Sequence, residues 1–116
     1  MTPDNATESA NAGRTRLSQA LAQVAQADRG ALRDVYDMTS AKLFGICLRI
    51  CRDREVAADI VQETYLKVWQ RAGRFDPERA SPITWLCTIA RNGAIDWCRA
   101  NRVALARTDI DEATGV

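Results

Sequence analysis

Ser81-Pro82-Ile83-Thr84-Trp85-Leu86-Cys87-Thr88-Ile89-Ala90-Arg91-Asn92-Gly93-Ala94-Ile95-Asp96-Trp97-Cys98-Arg99-Ala100-Asn101-Arg102 is the stretch whose reading decides the fold. It reads as one helix with two faces. Ser81 is placed to accept a hydrogen bond from the first free amides of a helix, and Pro82 sits where a missing N–H is harmless. Ile83, Leu86, Cys87, Ala90, Gly93, Ala94, Trp97 and Cys98 recur at helical spacing and form an apolar stripe that must face a core. Trp85, Thr88, Asn92, Ile95, Asp96, Arg99 and Arg102 fall on the other side. A guanidinium pairs with phosphate, an Asn amide donates to and accepts from base edges, and an indole offers a stacking surface, so this face suits nucleic acid. A plain solvated helix face has a similar composition, and pattern alone leaves both readings open.

Working outward from that helix, 116 residues suffice for one core and one compact domain. With 47% hydrophobic residues, three prolines and six glycines, the composition predicts a folded helical protein and no sheet. Sixteen basic against fifteen acidic residues leave a net charge of only +1, so attraction to a polyanion must come from local distribution. Arg91, Arg99, Arg102 and Arg107 against Asp96 make such a basic segment, followed by the acidic Asp109, Asp111 and Glu112. No apolar run is long enough for a membrane helix, and the N-terminus lacks the basic and hydrophobic regions of a secretion signal. The expectation is a cytoplasmic protein without membrane insertion. With no histidine, no GxSxG and no glycine-rich phosphate loop, neither an enzyme nor a cofactor site is expected.

Residues 1–13 are small and polar and predict a disordered N-terminus. Leu17, Ala20, Leu21, Val24 and Ala25 predict a short helix over 14–27, broken by Asp28 and Gly30. Asp28 is placed to cap a second helix over 29–50, with Leu32, Val35, Tyr36, Leu43, Ile46, Cys47 and Ile50 inward. A third helix over 54–72 buries Ala57, Ile60, Val61, Thr64 and Val68, with Gly73 as a left-handed cap. Its outer line is Asp59, Gln62, Glu63, Leu66 and Gln70, an apolar leucine among acceptors. That line reads as a partner surface or as a solvated face with one stray leucine. Phe75 to Ala80 form a loop longer than a tight helical hairpin needs, and residues 103–116 lose periodicity as a linker would. Cys47, Cys51, Cys87 and Cys98 lie at core-like helical positions and read as reduced thiols; without a CxxC pair a zinc or redox site is the weaker reading.

Asp59-Ile60-Val61-Gln62-Glu63-Thr64-Tyr65-Leu66-Lys67-Val68-Trp69, then Phe75, then Thr84-Trp85-Leu86-Cys87-Thr88-Ile89-Ala90-Arg91-Asn92 with Ile95-Asp96, resemble the first domain, region 2, of an extracytoplasmic-function sigma factor of the sigma-70 family. The resemblance covers about 14–102, as an all-α domain of four helices. It implies a subunit that binds core RNA polymerase and recognises and opens the promoter minus-ten element. Asp59, Gln62, Glu63, Leu66 and Gln70 would then meet the clamp helices of the beta-prime subunit. Trp85, Thr88, Arg91, Asn92, Ile95, Asp96, Arg99 and Arg102 would meet DNA, with one base taken out of the stack. An anti-sigma factor is the implied regulator. The family's second domain, a helix-turn-helix for the minus-35 element, has no counterpart here, so 103–116 is expected to begin the inter-domain linker of a longer protein. The rival reading is a helical adaptor or anti-sigma-like regulator that binds protein only.

Overall fold

A computed structural model describes the backbone over 5–114 and the side-chain surroundings over 11–102. Four helices follow one another: α1 (Asn5–Ala25), α2 (Arg29–Cys51), α3 (Arg54–Arg71) and α4 (Pro82–Thr114), with a 3₁₀ turn at Ala72–Arg74. There is no strand among the described residues. The expected all-α architecture and the four helices are present. The elements at both ends run further than apolar periodicity indicated. Helix α1 already begins at Asn5, inside the stretch expected to be disordered, and α4 continues to Thr114 through the stretch expected to be an aperiodic linker. Adding a residue to an existing helix costs far less than nucleating one, and residues 5–13 and 103–114 are proline-free and rich in alanine. The parts of those expectations that concern 1–4 and 115–116 lie outside the described residues.

Helix ends follow local chemistry. Asp28 Oδ1 accepts from Ala31 N at 3.1 Å to open α2, and Asp53 Oδ1 accepts from Glu55 N and Val56 N at 2.9 and 3.1 Å to open α3. Ser81 Oγ accepts from Thr84 N at 3.2 Å to open α4, as its sequence predicted. The left-handed residues are not where glycine pointed. Gly73 does not have a positive φ; Ala27 (φ 64) ends α1 and Arg52 (φ 58) ends α2. After Ala27, Asp28 N reaches back to Gln23 O at 3.1 Å, which closes the helix in a Schellman-type turn. Helix α3 needs no such residue, because it tightens into the 3₁₀ turn instead.

Leu17, Leu21 and Val24 of α1, Val35, Leu43 and Cys47 of α2, Ala57, Ile60, Val61 and Val68 of α3, and Leu86, Ala90 and Ala94 of α4 form one buried core. Tyr36, expected inside, is 42% exposed, and its ring packs on Tyr65 at 4.9 Å between centroids. Thr39 takes the inward place. Its Oγ1 donates to Val35 O at 2.6 Å and shares a 2.6 Å hydrogen bond with Tyr65 OH, tying α2 to α3 with every polar atom satisfied. Gly93 allows α4 to approach α3, since a Cβ there would lie 3.3 Å from Ile60 Cγ2.

Candidate functional site

Helices α2 and α4 pack side by side and leave an open groove of about 500 Å³ along their outer edge. Lys42 and Arg49 stand on the α2 wall and Arg91 on the α4 wall, with Thr84 and Thr88 beside it; Ile46, Ile50, Ile83 and Cys87 make the floor. No carboxylate lines it, and none of the three cations is held in an ion pair among the described residues. Cationic walls over an apolar floor can hold a phosphate chain while taking the flat face of a base. Two of the sequence-predicted residues, Thr88 and Arg91, are here. Lys42 and Arg49 were missed by sequence reading. Their seven-residue spacing places them on one side of α2, but only the packing of α2 against α4 turns that side into a wall.

Asn92, Arg99 and Arg102 are exposed on the outward side of α4, and Ile95 is half-buried. Trp85 is not a free stacking platform: it is half-buried against the core, and Phe75 packs on it at 5.4 Å between ring centroids. That contact pins the loop before α4. Within the loop, Asp76 Oδ1 accepts from Glu78 N at 2.9 Å, and Asp76 O accepts from Arg79 N at 3.1 Å and Ala80 N at 3.3 Å. Asp96 departs from the expected grouping. It lies on the flank of α4 that faces α3, in a separate groove with Asp59, Glu63 and Lys67. One helical face as read from the sequence is thus divided by the neighbouring helices into a basic side toward α2 and an acidic side toward α3.

On α3, Asp59, Gln62, Glu63, Leu66 and Gln70 are all exposed, and Leu66 is 63% exposed. The leucine has company one turn away: Gln62 lines a shallow groove between α2 and α3 with Tyr36, Phe44, Ala41 and Val61. Phe44 is half-buried against the core, whereas Tyr36, expected inside, is exposed.

The four cysteines carry free thiols. Burial raises Cys47, with Cys87 adding to the effect, and burial raises Cys87 against the opposing charge of Lys42. Cys51 is pushed up to about 11, first by burial and then by Cys98. Among the described residues no cluster of three or more His, Cys, Asp or Glu is arranged to hold a metal ion. No helix among them is long and apolar enough to cross a membrane.

The description "Sigma-70 region 2" matches residues 35–103. The chain is 38% identical over 93 residues to the ECF RNA polymerase sigma factor SigK of Mycobacterium sp. strain KMS, covering 80% of this chain and 48% of that protein. It is 37% identical over 91 residues to SigK of Mycolicibacterium vanbaalenii, covering 78% and 46%, and 35% identical over 91 residues to SigK of Mycobacterium ulcerans, covering 78% and 49%. The chain therefore spans about half the length of the curated relatives it matches. The matched segment holds α2 from Val35 onward, α3, the pinned loop and the part of α4 that bears the basic groove, and with it the chain belongs to the sigma-70 region 2 family.

Proposed function

We propose that this chain acts in transcription initiation as the part of a sigma factor that binds core RNA polymerase through α3 and holds the opened minus-ten strand against α4 and the α2–α4 groove. The observation that carries the reading is the separation of two surfaces of unlike chemistry. One, on α3, is acidic with an exposed leucine; the other is a cation-walled groove with an apolar floor. Lys42, Arg49, Arg91, Arg99 and Arg102 bind phosphates, and Asn92 reads a base edge that is accessible only in a single strand. The loop pinned by Phe75 and Trp85 borders the site.

Asp96 belongs with the α3 surface in this reading. A carboxylate beside Asp59 and Glu63 repels a phosphate chain, whereas it extends an acidic face toward a basic partner. The polymerase clamp helices are the proposed partner of that face, and an anti-sigma factor competing for it is the proposed regulator. The test is binding of matched and mismatched minus-ten single strands to core polymerase with and without the chain. Strand binding that requires the chain and distinguishes the sequences supports the reading. Tight association with polymerase but no strand binding would make the chain a protein-only adaptor and overturn it.

A further inference from the structure

The seam between α2 and α4 carries four thiols, and the structure sorts them into two pairs. Cys51 Sγ lies 3.8 Å from Ala94 O, one turn before Cys98, while Cys98 Sγ lies 3.6 Å from Ile50 O, next to Cys51. Each sulfur thus rests on the backbone of the other's helix. Cys47 Sγ is 3.8 Å from Ala90 O in the same seam, but it is fully buried, whereas Cys51 and Cys98 are both half-buried. We propose that Cys51 and Cys98 form a cross-helix covalent site that closes to a disulfide under attack by a small-molecule disulfide and staples α2 to α4.

The chemistry balances without any further reactant. The Cys98 thiolate attacks one sulfur of the small disulfide, breaking its S–S bond and releasing one thiolate, which takes up the proton that Cys98 lost. Cys51 then attacks Cys98 Sγ in the mixed disulfide, forming the Cys51–Cys98 bond and releasing the second small thiol with the Cys51 proton. Two protein thiols are oxidised by two electrons and one disulfide is reduced to two thiols. Burial favours the neutral thiol at Cys51; both sulfurs are half-buried in the same seam, and the reverse order of attack, with Cys51 opening the small disulfide, gives the same bond and the same balance. The same burial makes the closure slow at neutral pH and faster as pH rises.

A bond here would enclose all of α3 between its ends and would restrict the unfolded chain accordingly. It would also fix the spacing of the groove walls, because Arg49 and Ile50 immediately precede Cys51. The staple stands whether or not the groove holds DNA.

The experiment incubates the whole chain with glutathione disulfide, blocks remaining thiols by alkylation and maps the products by mass spectrometry without reduction. The expected product links the Cys51 and Cys98 peptides within one chain, leaves Cys47 and Cys87 alkylated after unfolding, and raises the thermal midpoint by on the order of 10 °C, reversed by reductant. Cys98→Ser and Cys51→Ser must each remove the shift, with the residual cysteine held as a mixed disulfide with glutathione or free, while Cys87→Ala must keep it. Cys51 and Cys98 both recovered alkylated, a bond between Cys47 and Cys87, or linkage only between chains would overturn the proposal. Should a serine variant fold poorly, the map of the unsubstituted chain decides alone.

Discussion

Leu66 and the groove cations make opposite demands on a mutational test. Leu66 is already outside, so Leu66→Arg leaves the core untouched and should weaken core polymerase binding by more than about 2 kcal/mol if the leucine is a desolvated anchor. Asp59→Arg or Glu63→Arg, at exposed positions, should cost less and show most of the loss in the association rate. Competition binding with labelled chain at two salt concentrations measures both, and an unchanged affinity for Leu66→Arg removes α3 from the interface. For the groove, Lys42→Ala, Arg49→Ala and Arg91→Ala should each weaken holoenzyme binding to every single strand and lower the salt slope by about 0.7, the single-strand value per phosphate. Asn92→Ala should instead reduce discrimination between matched and mismatched strands by about 1–3 kcal/mol. Asp96→Ala distinguishes the two flanks of α4: placed beside Asp59 and Glu63, it should alter polymerase affinity and leave strand discrimination unchanged.

Helices owe their lengths and junctions to a few positions where backbone and side chain disagree. Ala27 holds a left-handed conformation at the end of α1 that costs an L-residue about 1 kcal/mol, and glycine would relieve it. Ala27→Gly is therefore expected to be neutral to stabilising despite the flexibility it adds to the unfolded chain. Gly45 is the reverse case. It lies inside α2, is exposed, and a Cβ there meets nothing within 4 Å, so Gly45→Ala should stabilise by about 0.5–1 kcal/mol. Gly93→Ala should fail to gain that amount, because its Cβ would press on the stiff, branched Ile60 where α3 and α4 meet. Urea midpoints for the three variants check the order, and a gain at Gly93 equal to that at Gly45 would show that the helices have room to separate.

For the molecule as a unit, the buried hydroxyl and thiols set an alkaline limit. Tyr65 is pushed up to about 12 by burial, which outweighs its hydrogen bond with Thr39, and Cys51 is pushed up to about 11. Both folded-state values lie above those of the unfolded chain, 10.0 for tyrosine and 9.0 for cysteine, so the folded state binds protons more tightly. Their contribution to stability is full below about pH 9 and declines as pH rises, over 9 to 11 for Cys51 and 10 to 12 for Tyr65. Thermal midpoints should hold level from pH 7 upward and fall beyond about pH 9. Tyr65→Phe should lower stability at neutral pH by about 0.5–1.5 kcal/mol through loss of the Thr39 bond, yet flatten the decline above pH 10. A parallel decline in the variant would assign the alkaline limit to other groups.

Helix type, order and inner stripes were legible in the sequence because they depend on local periodicity: Leu86, Ala90 and Ala94, or Ala57, Ile60 and Val61, must share a side wherever the rest of the chain lies. The caps at Asp28 and Ser81 were legible for the same reason, since each joins residues three apart, whereas the cap at Asp53 was not read. The motifs spanning α3 and α4 carried the family resemblance by the same nearness in sequence. What a face meets is a different matter. Whether the outer side of α4 is basic or acidic depends on Lys42 and Arg49 arriving from α2 and on Asp59 and Glu63 arriving from α3. Tyr36 is exposed because Thr39, bound to Tyr65 across the α2–α3 contact, holds the inward place that periodicity offered to the larger ring. The cysteines at 51 and 98 likewise became neighbours only through helix packing. Spacing within a helix fixes which side a residue takes, but the charge and solvent around it come from residues far off in the chain, and those were decided by the tertiary structure.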